Sequence, residues 1–180
     1  MTKKVLLLHG WGGSEYPHWQ SWLAGELAKE YGCVNFLKFS DFDNPKFALW
    51  KKELLQTLED FKPDVVVCHS LANILWFQLA NRSLLPNIQH LYLVAPPSLS
   101  CSIEALCEFF PTEVPKNLFA KKTTLIYSTN DPYMSVEEAE HLTHSIKAKV
   151  KVIENGGHIN AESGFGKWEW ILQEIRSITL

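Results

Sequence analysis

The chain has 180 residues, 46% of them hydrophobic, and a formal net charge of −3. This size and apolar content suit one domain with a single core, so residues 1–180 are expected to form a single domain. Acidic and basic residues are interspersed and form no basic stripe, which argues against a nucleic-acid partner. The first apolar run is too short to span a membrane and lacks a small-residue cleavage site. We therefore expect a cytoplasmic protein with no membrane partner, and no protein partner is specified.

Apolar runs typical of strands alternate with helical patterns along the whole chain. The strand patterns lie near residues 4–8, 33–38, 64–68, 90–94, 123–128 and 149–153. The helical patterns lie near residues 17–31, 45–61, 71–82, 134–147 and 163–178. This alternation predicts an α/β fold, a three-layer αβα sandwich built on a mostly parallel sheet of about six strands.

A loop of sequence His-Gly-Trp-Gly-Gly-Ser, residues 9–14, follows the first strand pattern directly. A histidine and a glycine after the first buried strand are typical of a loop that binds an oxyanion, with the backbone N–H of Trp11 as one donor. The rival interpretation is a glycine-rich phosphate cradle. Neither a Gly-Lys-Ser/Thr sequence nor a dinucleotide fingerprint follows, so the oxyanion loop is favoured.

The third strand pattern ends abruptly on Ser70, and a helix-compatible stretch begins at the next residue. This is the arrangement of a nucleophile elbow, in which a strained turn exposes the serine hydroxyl at the end of the sheet. The backbone N–H of Leu71, at the helix start, is the second expected oxyanion donor. The usual pattern has glycine two residues before and after the serine. This chain has Cys68 and Ala72 there, which are also small, and the Cys68 thiol is expected to be buried and inert.

Two further polar side chains follow later strand patterns. Asp131 lies in the loop after the strand near 123–128, and His158 follows a glycine-containing turn after the strand near 149–153. Because the carboxyl ends of parallel strands share one edge of a sheet, Ser70, Asp131 and His158 are expected to meet there. Serine, acid and histidine in this chain order form the constellation of α/β-hydrolases. They predict a serine nucleophile, with His158 as the base and Asp131 orienting the imidazole.

With these motifs the chain resembles the small single-domain serine hydrolases of the RBBP9/YdeN family, within the α/β-hydrolase superfamily. The resemblance covers almost the whole chain, and its motifs are His9-Gly10-Trp11, His18-Trp19-Gln20-Ser21-Trp22, His69-Ser70-Leu71, Asp131-Pro132-Tyr133 and Gly156-Gly157-His158. It implies hydrolysis of ester or amide bonds, with Ser70, Asp131 and His158 at the catalytic positions. It names no substrate.

The stretch from residue 95 to residue 122 is irregular, with four prolines and a short helical possibility at residues 102–110. Larger relatives insert a cap domain at this place. A segment of this length can border a pocket but cannot build a full lid, so we expect a minimal α/β-hydrolase fold without a large cap and with an open site. Phe109, Phe110 and Phe119 either line the pocket or pack in the core, because aromatic residues are usually buried.

Other histidines and cysteines have expected structural roles. His141 and His144 are three residues apart on a predicted helix, where a solvated face is favoured over a metal site. His69 is expected to turn its side chain away from the serine hydroxyl, and His9 to brace the oxyanion loop. The four cysteines lack the spacing of a metal site and are expected to be reduced thiols. We expect no metal and no organic cofactor.

Three further aspartates lie near strand ends and compete for the role of the acid. Asp64 begins its strand, at the opposite edge of the sheet. Asp41 and Asp43 follow the second strand, which should lie on the far side of the first strand. Asp131 is therefore the expected acid.

The sequence predicts a serine hydrolase that cleaves small ester or amide acyl substrates through an acyl-enzyme on Ser70. The alternative is a catalytically weak or inactive protein of the same fold that acts as a protein-interaction module, since the elbow departs from the usual glycines. A transferase or lyase with the same residues is also left open. The natural substrate, the leaving group, the ester or amide preference and the oligomeric state stay unassigned.

Overall fold

The computed structural model describes residues 3–29 and 33–179. The strands are Lys4–Leu8 (β1), Cys33–Leu37 (β2), Val65–His69 (β3), Ile88–Val94 (β4), Ala120–Ser128 (β5) and Lys149–Ile153 (β6). The α-helices are Trp19–Lys29 (α1), Phe47–Phe61 (α2), Leu71–Asn81 (α3), Val136–Ile146 (α4) and Glu169–Thr179 (α5), and a 3₁₀ helix covers Glu104–Phe109.

The strands form one parallel sheet in the order β2-β1-β3-β4-β5-β6. The predicted architecture is thereby confirmed. The central strand β3 is buried along its whole length, which explains its continuous run of apolar residues. In the described residues, no helix is long and apolar enough to cross a membrane.

Helices cover both faces of the sheet and give the molecule two apolar clusters. Alternate residues of a strand point to opposite faces, so Leu6 and Leu8 of β1 pack against α2 and α3, whereas Val5 and Leu7 pack toward α1 and α5. This two-sided burial makes the three-layer αβα sandwich and holds the strand ends in place.

The last helix begins later than its sequence pattern predicts, at Glu169 and not near residue 163. Residues 159–167 instead form turns, with Gly164 at φ 85°. The carbonyl of Phe165 accepts a hydrogen bond from the Trp19 backbone N–H at 2.9 Å, and the carbonyl of Ile159 accepts one from the Trp19 indole at 2.8 Å. These contacts with the start of α1 hold the segment out of a helix.

The strand order creates the crevice in which the site lies. The chain passes from β1 outward to β2 and then returns to β3 on the other side of β1, which is the topological switch point of an open parallel sheet. The loops after β1, β3, β5 and β6 all emerge at the same carboxyl edge. Residues far apart in the chain therefore meet at this edge.

Candidate active site

Ser70, Asp131 and His158 lie in one hydrogen-bonded row at the carboxyl edge of the sheet. His158 Nε2 is 2.8 Å from Ser70 Oγ, and His158 Nδ1 is 3.0 and 2.9 Å from the two carboxylate oxygens of Asp131. The carboxylate can only accept, so Nδ1–H donates to it and the bare Nε2 is left to accept the serine hydroxyl proton. The side chains of His158 and Asp131 are 9% and 3% exposed, which shields the row from water.

Ser70 adopts the strained backbone conformation expected of an elbow, with φ 53° and ψ −123°. Its N–H donates to the carbonyl of Val94 at 3.0 Å, which ties the turn to β4. The side-chain amide of the fully buried Asn73 donates to the carbonyls of Ser70 (2.8 Å) and Val94 (2.9 Å). The neighbouring strand and the first helical turn together hold the strain in place.

Both departures from the usual elbow glycines fit the turn. Cys68 and Ala72 are completely buried, Cys68 at the end of β3 and Ala72 in the first turn of α3. Burial raises the pKa of the Cys68 thiol well above its usual range, because the thiolate would lose its hydration. The thiol is therefore inert, as the sequence predicts.

The loop after β1 packs directly against the nucleophile. A Cβ added to Gly10 would lie 2.6 Å from Ser70 Cβ, so only glycine allows this approach. Among the described residues, no acceptor is bonded to the backbone N–H of Trp11 or of Leu71. Both predicted oxyanion donors are thus available to a group bound beside Ser70.

His9 anchors this loop through both ring nitrogens. Its Nδ1–H donates to the Gly10 carbonyl at 2.7 Å, and its Nε2 accepts the N–H of Phe39 at 3.0 Å. Burial lowers the pKa of His9, because the charged ring would be desolvated. A neutral ring is the form that this bonding pattern needs. The contacts agree with the bracing role predicted for His9.

The loops that carry the acid and the histidine are tied to each other. Asn130 Oδ1 accepts hydrogen bonds from the Gly157 N–H at 2.7 Å and from the Ser128 hydroxyl at 2.9 Å. The Asp131 carboxylate also accepts the N–H of Tyr133 at 2.9 Å. These bonds set the position of Asp131 relative to the His158 loop before any substrate binds.

His69 has a role that the sequence does not reveal. Its Nε2–H donates to the backbone carbonyl of His158 at 3.1 Å, and the two rings are 5.3 Å apart. The ring of His18 also packs against His69, with the ring centroids 4.9 Å apart. Burial is the main cause that lowers the pKa of His69 well below its usual value. A neutral, buried His69 therefore anchors the backbone of His158.

The row opens into a pocket of about 450 Å³. Three aromatic side chains at the pocket remain well exposed: Trp11, Tyr16 and Tyr133. The irregular segment contributes Pro97, Cys101, Ile103 and Leu106 to one side of the pocket. Phe109, Phe110 and Phe119, the three candidates from the sequence, do not line this pocket.

Those three phenylalanines pack in or against the core. Phe109 is fully buried and makes edge contacts with the rings of Phe47 and Trp50, while Phe110 and Phe119 pack against the same cluster. Core packing is thus the correct one of the two interpretations.

His141 and His144 lie outside the pocket that contains Ser70. His141 and His144 lie on the exposed face of α4. In residues 3–29 and 33–179, no group of three or more His, Cys, Asp and Glu side chains is placed to hold a metal ion. All four cysteines are free thiols.

The fold is that of an α/β-hydrolase, and comparisons with known proteins give the family. The chain matches the Serine hydrolase family over residues 5–177 and belongs to it. It is 23% identical over 178 residues to YdeN of Bacillus subtilis (strain 168), a match that covers 92% of this chain and 90% of that protein. The predicted relationship to the YdeN hydrolases is confirmed, and the chain is a hydrolase.

Solved structures agree on the fold. The crystal structure of the B. subtilis ydeN product has a TM-score of 0.86 and 22% identity, with 98% of both chains covered. A YdeN-like protein from Pectobacterium atrosepticum has a TM-score of 0.78 and 22% identity, with 98% of this chain and 90% of that chain covered. The esterase domain of a Rhodothermus marinus protein has a TM-score of 0.67 and 12% identity, with 97% and 85% covered.

Proposed function

We propose that the protein is a serine hydrolase that cleaves small ester or amide substrates through an acyl-enzyme formed on Ser70. The observation that carries the proposal is the continuous row of hydrogen bonds from Asp131 through His158 to Ser70, at 2.8 to 3.0 Å. A serine is a weak nucleophile unless an adjacent base takes its proton, and this row supplies an oriented base.

Acylation begins when Ser70 Oγ attacks the substrate carbonyl carbon and His158 Nε2 takes the hydroxyl proton. Asp131 stabilises the resulting imidazolium and keeps the ring in place. The backbone N–H groups of Trp11 and Leu71 donate to the oxyanion, each lowering the barrier by about 3 to 4 kcal/mol. His158 then gives its proton to the leaving group as the bond to carbon breaks, which leaves an ester on Ser70.

Deacylation repeats the same steps with water as the nucleophile. His158 takes a proton from the water, the hydroxide adds to the acyl carbon, and the returned proton releases Ser70 from the carboxylic acid product. The chain itself supplies the nucleophile, the base and the oxyanion donors, so this scheme needs no metal or organic cofactor.

The interaction-module alternative has less support. An inactive protein has no need to keep Ser70 in a strained conformation against an oriented imidazole. The substitutions at Cys68 and Ala72 are accommodated in the core and leave the turn in place. The esterase domain of the R. marinus protein, which has the same fold, adds support for ester chemistry.

The test combines a fluorophosphonate probe with hydrolysis of p-nitrophenyl acetate. We expect the probe to label Ser70, and Ser70→Ala to abolish labelling and lower kcat/KM at least about a thousandfold. Asp131→Asn should lower kcat by about ten-thousandfold, because the imidazole then adopts the wrong tautomer. Ser145→Ala, on an exposed part of α4, is the matched control and should retain wild-type activity. Persistent labelling of Ser70→Ala, or a rate close to wild type, would overturn the proposal.

A further inference from the structure

His18, immediately before α1, uses only one of its two ring nitrogens. Its Nδ1 accepts a hydrogen bond from the Gln20 backbone N–H at 3.1 Å, so the side chain caps the start of the helix. Its Nε2 is buried, and no described residue is hydrogen-bonded to it. The residue is 5% exposed and lines the same pocket as Ser70.

The bonding pattern determines which nitrogen of His18 carries the proton. Because Nδ1 accepts a hydrogen bond, the neutral ring has its hydrogen on Nε2. Burial, together with the nearby His158 and His9, lowers the pKa of His18 from its ordinary 6.5 to about 4. The ring is therefore neutral near pH 7, and Nε2–H is a buried donor without an acceptor.

The neighbouring polar groups do not satisfy this donor. The ring of His69 is 4.9 Å away and its Nε2–H donates to the His158 carbonyl, and no hydrogen bond joins this ring to His18 Nε2. The indole N–H of Trp19 donates to the Ile159 carbonyl. Ser14, which also lines the pocket, has a buried hydroxyl that is likewise unpaired within the described part of the chain. Unpaired buried donors are rare because they are unfavourable, so the acceptor must come from a molecule in the pocket, either a water in the free protein or an oxygen of the substrate that displaces it.

We propose that the Nε2–H of His18 binds an oxygen acceptor of the substrate and makes His18 a specificity-determining residue. This inference rests on the proposed function, and it narrows the substrate class. The preferred esters or amides carry an ether, hydroxyl or carbonyl oxygen close to the scissile carbonyl. A purely hydrocarbon analogue leaves the buried donor unpaired and is therefore a poorer substrate.

Two substitutions separate the donor role from the capping role. Asparagine places its Oδ1 where the imidazole has Nδ1, so His18→Asn keeps the helix cap and removes the Nε2 donor. Glutamine places its amide nitrogen near the position of Nε2, so His18→Gln keeps a donor and loses the cap. His141→Asn, on the exposed face of α4, is the matched control.

The kinetic probes are two pairs of esters in which an ether oxygen replaces a methylene. On the acyl side the pair is p-nitrophenyl methoxyacetate and p-nitrophenyl butyrate. On the leaving-group side the pair is 2-methoxyethyl acetate and butyl acetate. The measured quantity is the ratio of kcat/KM values within each pair, compared between wild type and variant, so that intrinsic reactivity cancels. Thermal unfolding of each variant reports the cap.

We expect His18→Asn to lower the ratio for at least one pair by about tenfold or more, with the midpoint of unfolding little changed. His18→Gln should keep the ratio and unfold at a lower temperature. A wild-type ratio for both pairs in His18→Asn would overturn the inference, and a loss of thermal stability alone would assign His18 a purely structural role. If none of the four esters is hydrolysed in a Ser70-dependent way, the proposed function itself is overturned.

Discussion

Substitution of Gly10 by alanine tests how closely the oxyanion loop must approach the nucleophile. The added Cβ would lie 2.6 Å from Ser70 Cβ, 3.1 Å from Ser70 Oγ and 3.2 Å from the His69 carbonyl oxygen. Carbon atoms in contact are normally about 3.5 to 4.0 Å apart, so the loop and the elbow must separate by about 1 Å. The elbow is tied to β4 and the loop is anchored by His9, so neither side moves freely.

The expected loss of activity is large, and the loss of stability is moderate. A misplacement of about 1 Å in a catalytic site costs about a hundredfold in rate, and loss of one oxyanion donor costs about a hundred- to a thousandfold. We therefore expect kcat/KM for p-nitrophenyl acetate to fall at least about a hundredfold in Gly10→Ala. Overpacking costs about 1 to 3 kcal/mol, which lowers the unfolding midpoint of a chain of this size by roughly 2 to 12 °C.

Gly25→Ala provides the control, because Gly25 lies within α1 and a Cβ there would meet nothing within 4 Å. This variant should keep full activity and gain about 0.5 to 1 kcal/mol of stability, since alanine is the better helix former. The assay compares esterase rates and circular-dichroism melts of the two variants with wild type. A folded Gly10→Ala protein that keeps more than about a third of the wild-type kcat/KM would refute the argument that the close approach to Ser70 matters.

Three further predictions concern the elbow, the pocket and the buried histidines. Cys68→Gly should keep esterase activity and Cys68→Val should lose most of it, because the position is completely buried and admits no extra volume; equal rates would show a looser turn. Across p-nitrophenyl esters from acetate to palmitate, kcat/KM should peak at short chains. The short segment after β4 borders the pocket but cannot build a large apolar lid, so added methylenes should not gain the roughly 0.8 kcal/mol each that full burial gives. A steady rise to the longest ester would reveal a deep channel. The unfolding midpoint should fall as the pH drops from about 6.5 toward 4, because burial lowers the pKa of His18 and His69 in the folded state, so the unfolded chain binds more protons in this range. A constant midpoint between pH 7.5 and 5 would contradict this.

The fold was predictable because its signals are local. The alternation of apolar strands with amphipathic helices requires a parallel sheet covered on both faces, and such a sheet brings all its carboxyl ends to one edge. Ser70, Asp131 and His158 each follow a strand, so their meeting at that edge followed from the pattern. Their catalytic roles, and those of the Trp11 and Leu71 N–H groups, stay predictions that the proposed variants test.

Features that depend on contacts between distant segments were not predictable. The pattern near residue 163 favours a helix, but contacts with Trp19 delay the start of α5 until Glu169. The choice between core and pocket for Phe109 depended on whether the rings of Phe47 and Trp50 would surround it. Such outcomes are set by packing, which composition and periodicity do not encode.

The sequence by itself determined the sheet, the order of its site residues and the elbow, because strand and helix periodicity and a strand–serine–helix turn are properties of short segments. Only the tertiary structure decided the hydrogen bond of His69 to the His158 carbonyl and the unpaired nitrogen of His18 in the pocket. Whether a buried polar group has a partner depends on side chains that the fold brings together from distant positions, and no local pattern in the chain contains that information.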